Sequence, residues 1–253
     1  MQKRDRIKTY ADAYLGDYGF ETVMVEARQR LILDLLGQER PARVIEAGCG
    51  ADLLCAKAAE AGIAFDRWVV VEPAEHFAAI AEERARRDPR LAVRRGFFED
   101  ETGALLEREA AFDLVIVSGL LGELADPGAV LRAARAAAGA RGLVHVNVPN
   151  AYSLHRRLAR AMGLIADEHD MSERNKALQQ HRNYDAASLR ADIEAAGLRV
   201  RETGGYFLKP FTHAQMEAVT QSLGGAMLPG LWQIGREMPE LASEIYVNAV
   251  AAR

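Results

Sequence analysis

Cysteine is scarce, with Cys49 and Cys55 the only two in 253 residues. Both lie in or just after one glycine turn and no third thiol exists to pair with either, so reduced, intracellular thiols are the expectation and a disulfide framework is excluded. Cys49 reads as a small residue filling a tight turn rather than a nucleophile. Long apolar runs are also missing. No stretch approaches the length of a membrane helix, and the charged start MQKRDR has no apolar segment of the signal-peptide kind, which points to a cytoplasmic protein with no membrane partner. Positive charge is not in excess either: a net charge of -4 and a pI near 5.9 argue against a binder of phosphate backbones, and no nucleic-acid partner is expected. A metal cluster is lacking too. His169 stands amid Asp167, Glu168 and Asp170, but neighbours in a helix or strand point to different sides and cannot all converge on one ion.

What is present is a hydrophobic content of 49% in a length that suits one large domain or one domain with an insertion. The organising stretch is RVIEAGCGADL, residues 43 to 53. Val44 and Ile45 suit a central strand covered on both faces. Gly48 and Gly50 then break the run, allowing positive φ and close approach to a ligand, and a helix from about Asp52 directs its N-terminal amides at the turn. Glu46 is an acid at the carboxyl end of that strand, where a purely structural strand would more readily carry an apolar residue. The second strand, RWVVVEP at residues 67 to 73, ends in Glu72 and Pro73, an acid placed to accept hydrogen bonds from ribose hydroxyls.

Further alternations follow: a charged helix over 74–87, a third strand over 91–100, a fourth over 112–124, a helix opened by Asp126 and Pro127, and a fifth strand over 142–150. Sixth and seventh strands fall over 198–208 and 244–252. Repeated strand and helix units imply a doubly wound α/β sheet with right-handed crossovers and a cleft at the strands' carboxyl ends. Ahead of them, Tyr10, Tyr14 and Tyr18 recur every four residues on one helical face, and a helix from Glu21 to Leu36 closes at Gly37. Residues 1–40 read either as an amphipathic helical region packed on the body or as a helical lid, with Tyr18 then among the cofactor contacts.

The acid, the G-x-G core and Leu53 in place of a third glycine resemble motif I of class I S-adenosylmethionine-dependent methyltransferases of the small-molecule, bacterial secondary-metabolite or sugar type. The resemblance implies a mostly parallel seven-stranded Rossmann-like sheet with the last strand antiparallel. The resemblance covers roughly residues 40 to 205 plus the last strand, and the methyltransferase domain it implies spans residues 41–253 with substrate-cap insertions at about 151–183 and 209–243. It implies S-adenosyl-L-methionine as cofactor, its amino acid end on the loop of Glu46, Gly48, Cys49 and Gly50. The turn after the third strand would serve the adenine through Phe98 and Glu99, although Phe97 occupies the family's usual aspartate position. The fourth strand, ending in Ser118, would lie beneath the sulfonium and the acceptor. SGLLGE there lacks the Asn/Asp-Pro-Pro-aromatic signature of base-methylating members.

The expected acceptor is therefore a small molecule, methylated on oxygen or nitrogen. H-x-x-Y at His181 to Tyr184 resembles a stretch near the acceptor in small-molecule members, which makes His181 the candidate general base, against a histidine that merely packs or caps. His155, His169, Tyr184 and Trp232 are the candidate acceptor contacts. Arg156, Arg157 and Arg160 read as a solvated basic face. Met216, Met227, Leu228, Trp232 and Met238 suit either an apolar acceptor wall, core packing or a homodimer contact. Two other functions remain open: a nicotinamide (NAD) oxidoreductase, disfavoured by Leu53, and a noncatalytic scaffold that keeps the cofactor site.

Overall fold

In a computed structural model, residues 19–172, 175–176 and 180–252 are described; Tyr10, Tyr14 and Tyr18 lie outside them. The chain runs α1 (Glu21–Glu39), β1 (Arg43–Ala47), α2 (Leu54–Glu60), β2 (Arg67–Glu72), α3 (Glu75–Ala85), β3 (Leu91–Arg95), α4 (Phe98–Leu106) and β4 (Leu114–Ser118). A 3-10 turn at Leu121–Glu123 follows, then α5 (Pro127–Ala138), β5 (Leu143–Pro149), α6 (Leu154–Ala161), α7 (Ala186–Ala195), β6 (Leu198–Tyr206), α8 (His213–Leu223), α9 (Met227–Glu237) and β7 (Glu244–Ala251).

The strands form one seven-stranded sheet in the order β3-β2-β1-β4-β5-β7-β6. The first five pair in parallel, and β7 runs antiparallel to both β5 and β6. The order reverses at β1 and β4, so their carboxyl ends open onto the crevice where such sheets hold ligands. One sheet face, with Ile45, Val69, Val115 and Val144, packs against α4, α5 and α7 through Leu105, Leu131 and Ile193. The opposite face, with Val44, Trp68, Leu114 and Ile116, packs against α1, α2 and α3 through Ile32, Leu36, Leu54 and Ala81. Burial on both faces explains the unbroken apolar strands.

Helix α1 continues past Gly37 and turns only at Arg40, which adopts a φ of 48° and donates its N–H to the Leu36 carbonyl. A glycine inside a helix costs about 1 kcal/mol, and burying Leu35 and Leu36 outweighs that. The N-terminal half of α1 joins Phe20, Met24 and Leu31 to Tyr206, Phe207, Met216 and Trp232 in a third cluster, so the loop between β6 and β7 packs around it.

The described residues within 164–183 fold back over the exits of β4 and β5. The His181 amide donates to the Gly122 carbonyl at 2.7 Å, and the Ala151 amide to that of Tyr184 at 2.7 Å. Arg156 Nε donates to the Glu168 carbonyl at 2.6 Å, and Asn183 Nδ2 to that of His169 at 3.0 Å. α7 then starts on a capping box between Asp185 and Ser188. Among the described residues, no helix is long and apolar enough to cross a membrane.

Candidate active site

The turn after β1 is held by backbone geometry. Gly48 and Gly50 have φ of 76° and 59°, and the Gly48 amide donates to the Val71 carbonyl at 2.9 Å. A Cβ built at Gly50 would meet nothing within 4 Å, and one at Gly48 would meet only the Glu72 carboxylate at 3.8 Å. The turn is thus an open cradle that side chains would fill.

Glu72, at the tip of β2, braces the cradle. Its Oε2 accepts from the Cys49 amide at 2.9 Å and its Oε1 from the Ala74 amide at 2.7 Å. Burial raises its pKa, and these amides oppose the rise. Its Oε2 also accepts weakly from the Cys49 thiol at 3.7 Å. Glu46 is buried beneath the turn, where Trp68 Nε1 donates to its Oε2 at 3.2 Å. Desolvation pushes this carboxyl up to about 8, the indole bond opposes that, and the charge of Glu72 adds to it. A cation arriving above the turn would restore its ionised form. The Cys49 thiol is also driven upward, first by burial and then by Glu72, and Cys55 is pushed up to about 12, so neither supplies a thiolate.

The other expected cofactor contacts are spread along the same edge. Pro73 is half-buried after β2, and Ser118 is half-buried at the end of β4, paired in register with Asn147 of β5. Phe98 is 3% exposed and packs in the core, whereas Phe97 and Glu99 are half-buried on either side of it. Residue 18 lies outside the described chain.

The acceptor candidates divide. His181 is exposed, its backbone pinned to Gly122, between Gln180 and Arg182, which line a narrow cleft with Gly119, Pro149 and Tyr184. Tyr184 is buried, its hydroxyl donating to Asp192 at 2.7 Å and its ring lying under the Arg182 guanidinium at 4.7 Å. His155 is half-buried with its Nδ1 3.1 Å from Ser153 Oγ. Burial drives its pKa down to about 3, assisted by Lys209, Arg156 and His213, so the imidazole is neutral. His169 sits between carboxylates, with Asp167 at 3.1 Å and Asp185 at 3.0 Å. No metal-binding group of three such ligands occurs among the described residues. Trp232 is 6% exposed in the third cluster, with Arg30 stacked at 4.7 Å.

A second polar assembly at this edge escaped the sequence. Arg28 of α1 donates Nε to Glu244 Oε2 at 3.1 Å and Nη2 to Oε1 at 2.5 Å. Asn147 Nδ2 and the Tyr206 hydroxyl also donate to Glu244, and Asn147 Nδ2 to Tyr206 at 2.9 Å. The signal was available in hindsight: Arg28 falls among Met24, Ala27, Leu31 and Ile32, and Asn147 interrupts an apolar strand.

A glycine cradle at a sheet's switch point, braced by a strand-end acid, defines an α/β protein that takes a nucleoside-like ligand. Residues 20–203 match the family model described as a methyltransferase domain, and the chain belongs to this family of methyltransferases. No characterised protein matches by sequence. Among solved structures, the chain resembles a methyltransferase of Haloferax volcanii in complex with the Trm112 methyltransferase activator, at a TM-score of 0.64 and 14% identity over 100% of this chain and 98% of that one. It resembles the plantazolicin methyltransferase BamL, in complex with a desmethyl analogue and SAH, at 0.59 and 11% over 99% and 98%. It also resembles the [4+2]-cyclase SpnF at 0.56 and 15% over 88% and 80%. At these identities the likeness is one of fold, and the cyclase shows that the fold does not by itself dictate the reaction.

Proposed function

We propose that this protein transfers a methyl group from S-adenosyl-L-methionine to an oxygen or nitrogen of a small-molecule acceptor. The open cradle at Gly48 and Gly50, with Glu72 braced against it, carries this reading. Membership of the methyltransferase family supports it, as does likeness to the plantazolicin methyltransferase. The cofactor supplies a methyl group already activated on a sulfonium. Gly48, Cys49 and Gly50 offer backbone approach to its amino acid end, Glu72 accepts from the ribose hydroxyls, and Phe97 and Glu99 flank the adenine side. Glu46 responds to the cofactor's positive charge from below.

This chain's residues then orient and shield. The described residues of the segment 164–183, pinned to the turn after β4 through the His181 amide, exclude water from the acceptor. Most of the acceleration comes from alignment for in-line displacement. His181, held at the exit by its backbone, takes the proton leaving an acceptor hydroxyl or amine. His155 contacts the acceptor as a neutral imidazole.

Thermal unfolding with S-adenosylmethionine, S-adenosylhomocysteine and NAD tests the donor. A ligand about a hundredfold above its dissociation constant adds about 2.7 kcal/mol to stability. Stabilisation by the two sulfur nucleotides alone is the expected result, and stabilisation by NAD alone or by none overturns it.

A further inference from the structure

The glycine at position 122 answers to a neighbour rather than to its own backbone. Gly122 is the middle residue of the 3-10 turn Leu121–Glu123 that follows β4. Gly119, three residues earlier, needs glycine because its φ is 68°, but Gly122 has no positive φ, so its backbone admits any side chain. Space is what excludes one. A Cβ built at Gly122 would stand 3.2 Å from the Arg182 carbonyl oxygen, tighter than ordinary van der Waals contact. A backbone oxygen cannot swing aside as the end of a long side chain does, so one of the two chain segments would have to move.

The turn is the fixed partner. Leu121 is fully buried in the cluster that holds Val117, Leu131 and Ile193, and Gly122 is itself buried. The opposing chain, residues 180–184, is held firmly at its far end. Tyr184 bridges to Asn150, its hydroxyl donates to Asp192 at 2.7 Å, and Arg182 Nη1 donates to the same carboxylate at 2.8 Å. Toward His181 this chain meets the turn. The Gly122 carbonyl accepts from the His181 amide at 2.7 Å and from the Arg182 amide at 3.4 Å. Two donors on one carbonyl, in a contact too close to admit a methyl group, make a seat for the chain that carries the exposed His181 side chain. Ordering a glycine costs more conformational entropy than ordering any other residue, and this close approach offsets it.

We propose that Gly122 is a positioning residue for His181: the missing side chain lets residues 180–184 seat on the turn after β4, and the seat fixes where the imidazole can reach. The proposal rests on the reading of His181 as the base and names what places that base. Gly122→Ala is expected to push the chain at 181 and 182 outward by a few tenths of an ångström, weakening both bonds to the turn.

Amide hydrogen exchange and histidine ring spectra of the natural chain and of Gly122→Ala, each saturated with S-adenosylhomocysteine, test it. The His181 and Arg182 amides are expected to exchange about tenfold faster in the variant, the scale of one weakened hydrogen bond. The Val117 and Gly48 amides keep their rates, and calorimetry gives an unchanged S-adenosylhomocysteine affinity. The ring signal of His181, assigned by its disappearance in His181→Ala, moves. Backbone propensity alone predicts the opposite, because alanine for glycine at an ordinary φ restricts the unfolded chain and raises the melting temperature. A higher melting temperature with exchange and ring signal unchanged therefore overturns the proposal. Faster exchange with an unmoved ring signal overturns the positioning role. In the natural chain, a His181 amide that exchanges at the rate of an unstructured peptide overturns the seat, whether or not the variant folds. Failure of the natural chain to bind S-adenosylhomocysteine overturns the donor reading instead, and the seat then stands or falls on the same rates measured without the nucleotide.

Discussion

Burial of the Glu46 carboxyl against Trp68 makes stability depend on pH in a direction unusual for an acid. Its pKa is about 8 in the folded chain against an ordinary 4.5, so between those values the folded state holds a proton that the unfolded state has released. Stability then falls as pH rises through this window and levels off above 8, the reverse of a salt-bridged carboxylate. At about 1.4 kcal/mol per pH unit the full effect is on the order of 4 to 5 kcal/mol. His145, buried beside Asn248 and lowered to about 4, contributes the opposite slope below 6.5. The Glu46 slope therefore emerges most clearly between about 6.5 and 8 in the natural chain. Glu46→Gln is expected to be more stable than the natural chain at pH 8.5 and to lose its advantage near pH 5, as urea midpoints measured at the two pH values would show. Glu72→Ala is expected to weaken S-adenosylhomocysteine binding at least about tenfold, since its carboxylate braces the cradle and, on the proposed reading, accepts from ribose; unchanged affinity in calorimetry would remove the ribose contact. His181→Ala is expected to lower turnover about a hundredfold while leaving nucleotide affinity alone, and equal turnover with an identified acceptor would remove it as the base. Glu46 and Glu72 were legible because an acid ending an apolar strand is conspicuous. Arg28 and Glu244 lie 216 residues apart, and only the fold brings their charges together.

Among the elements, α7 and α1 show the two ways in which local sequence and tertiary packing share control. α7 begins where Asp185 accepts from the Ser188 amide at 2.7 Å, a start written in four consecutive residues. Asp185→Ala is expected to cost about 1 kcal/mol and, because Asp185 also meets His169 at 3.0 Å, to loosen the chain around His169; amide exchange there measures it. α1 is different. The glycine stop at Gly37 is locally sound, yet the helix runs on to Glu39 because Leu35 and Leu36 pack against β1. Phe98 likewise turns into the core from the first turn of α4, leaving Phe97 and Glu99 half-buried on either side of it. Which of two adjacent aromatics faces a ligand depends on how a helix rolls onto the sheet.

For the whole molecule, the helix ahead of the first strand is a structural member. Ile32, Leu35 and Leu36 share a cluster with Val44, Trp68 and Ile116, while Met24 and Leu31 share another with Tyr206 and Trp232. A chain begun at residue 41 is expected to lose the single cooperative unfolding transition, because it strips both clusters of one wall; coincident near- and far-UV transitions in that chain would show otherwise. The strand succession, the glycine turn, the strand-end acids and the doubly wound class followed from the sequence by itself, because alternation, apolar runs and glycine breaks act over a few residues. The antiparallel last strand was implied by the family resemblance, whereas only the tertiary structure decided the neutral burial of Glu46 and His155 and the meeting of Arg28 with Glu244. Those depend on desolvation and on charges brought together across the chain, and neither quantity exists until the sheet and its helices have closed.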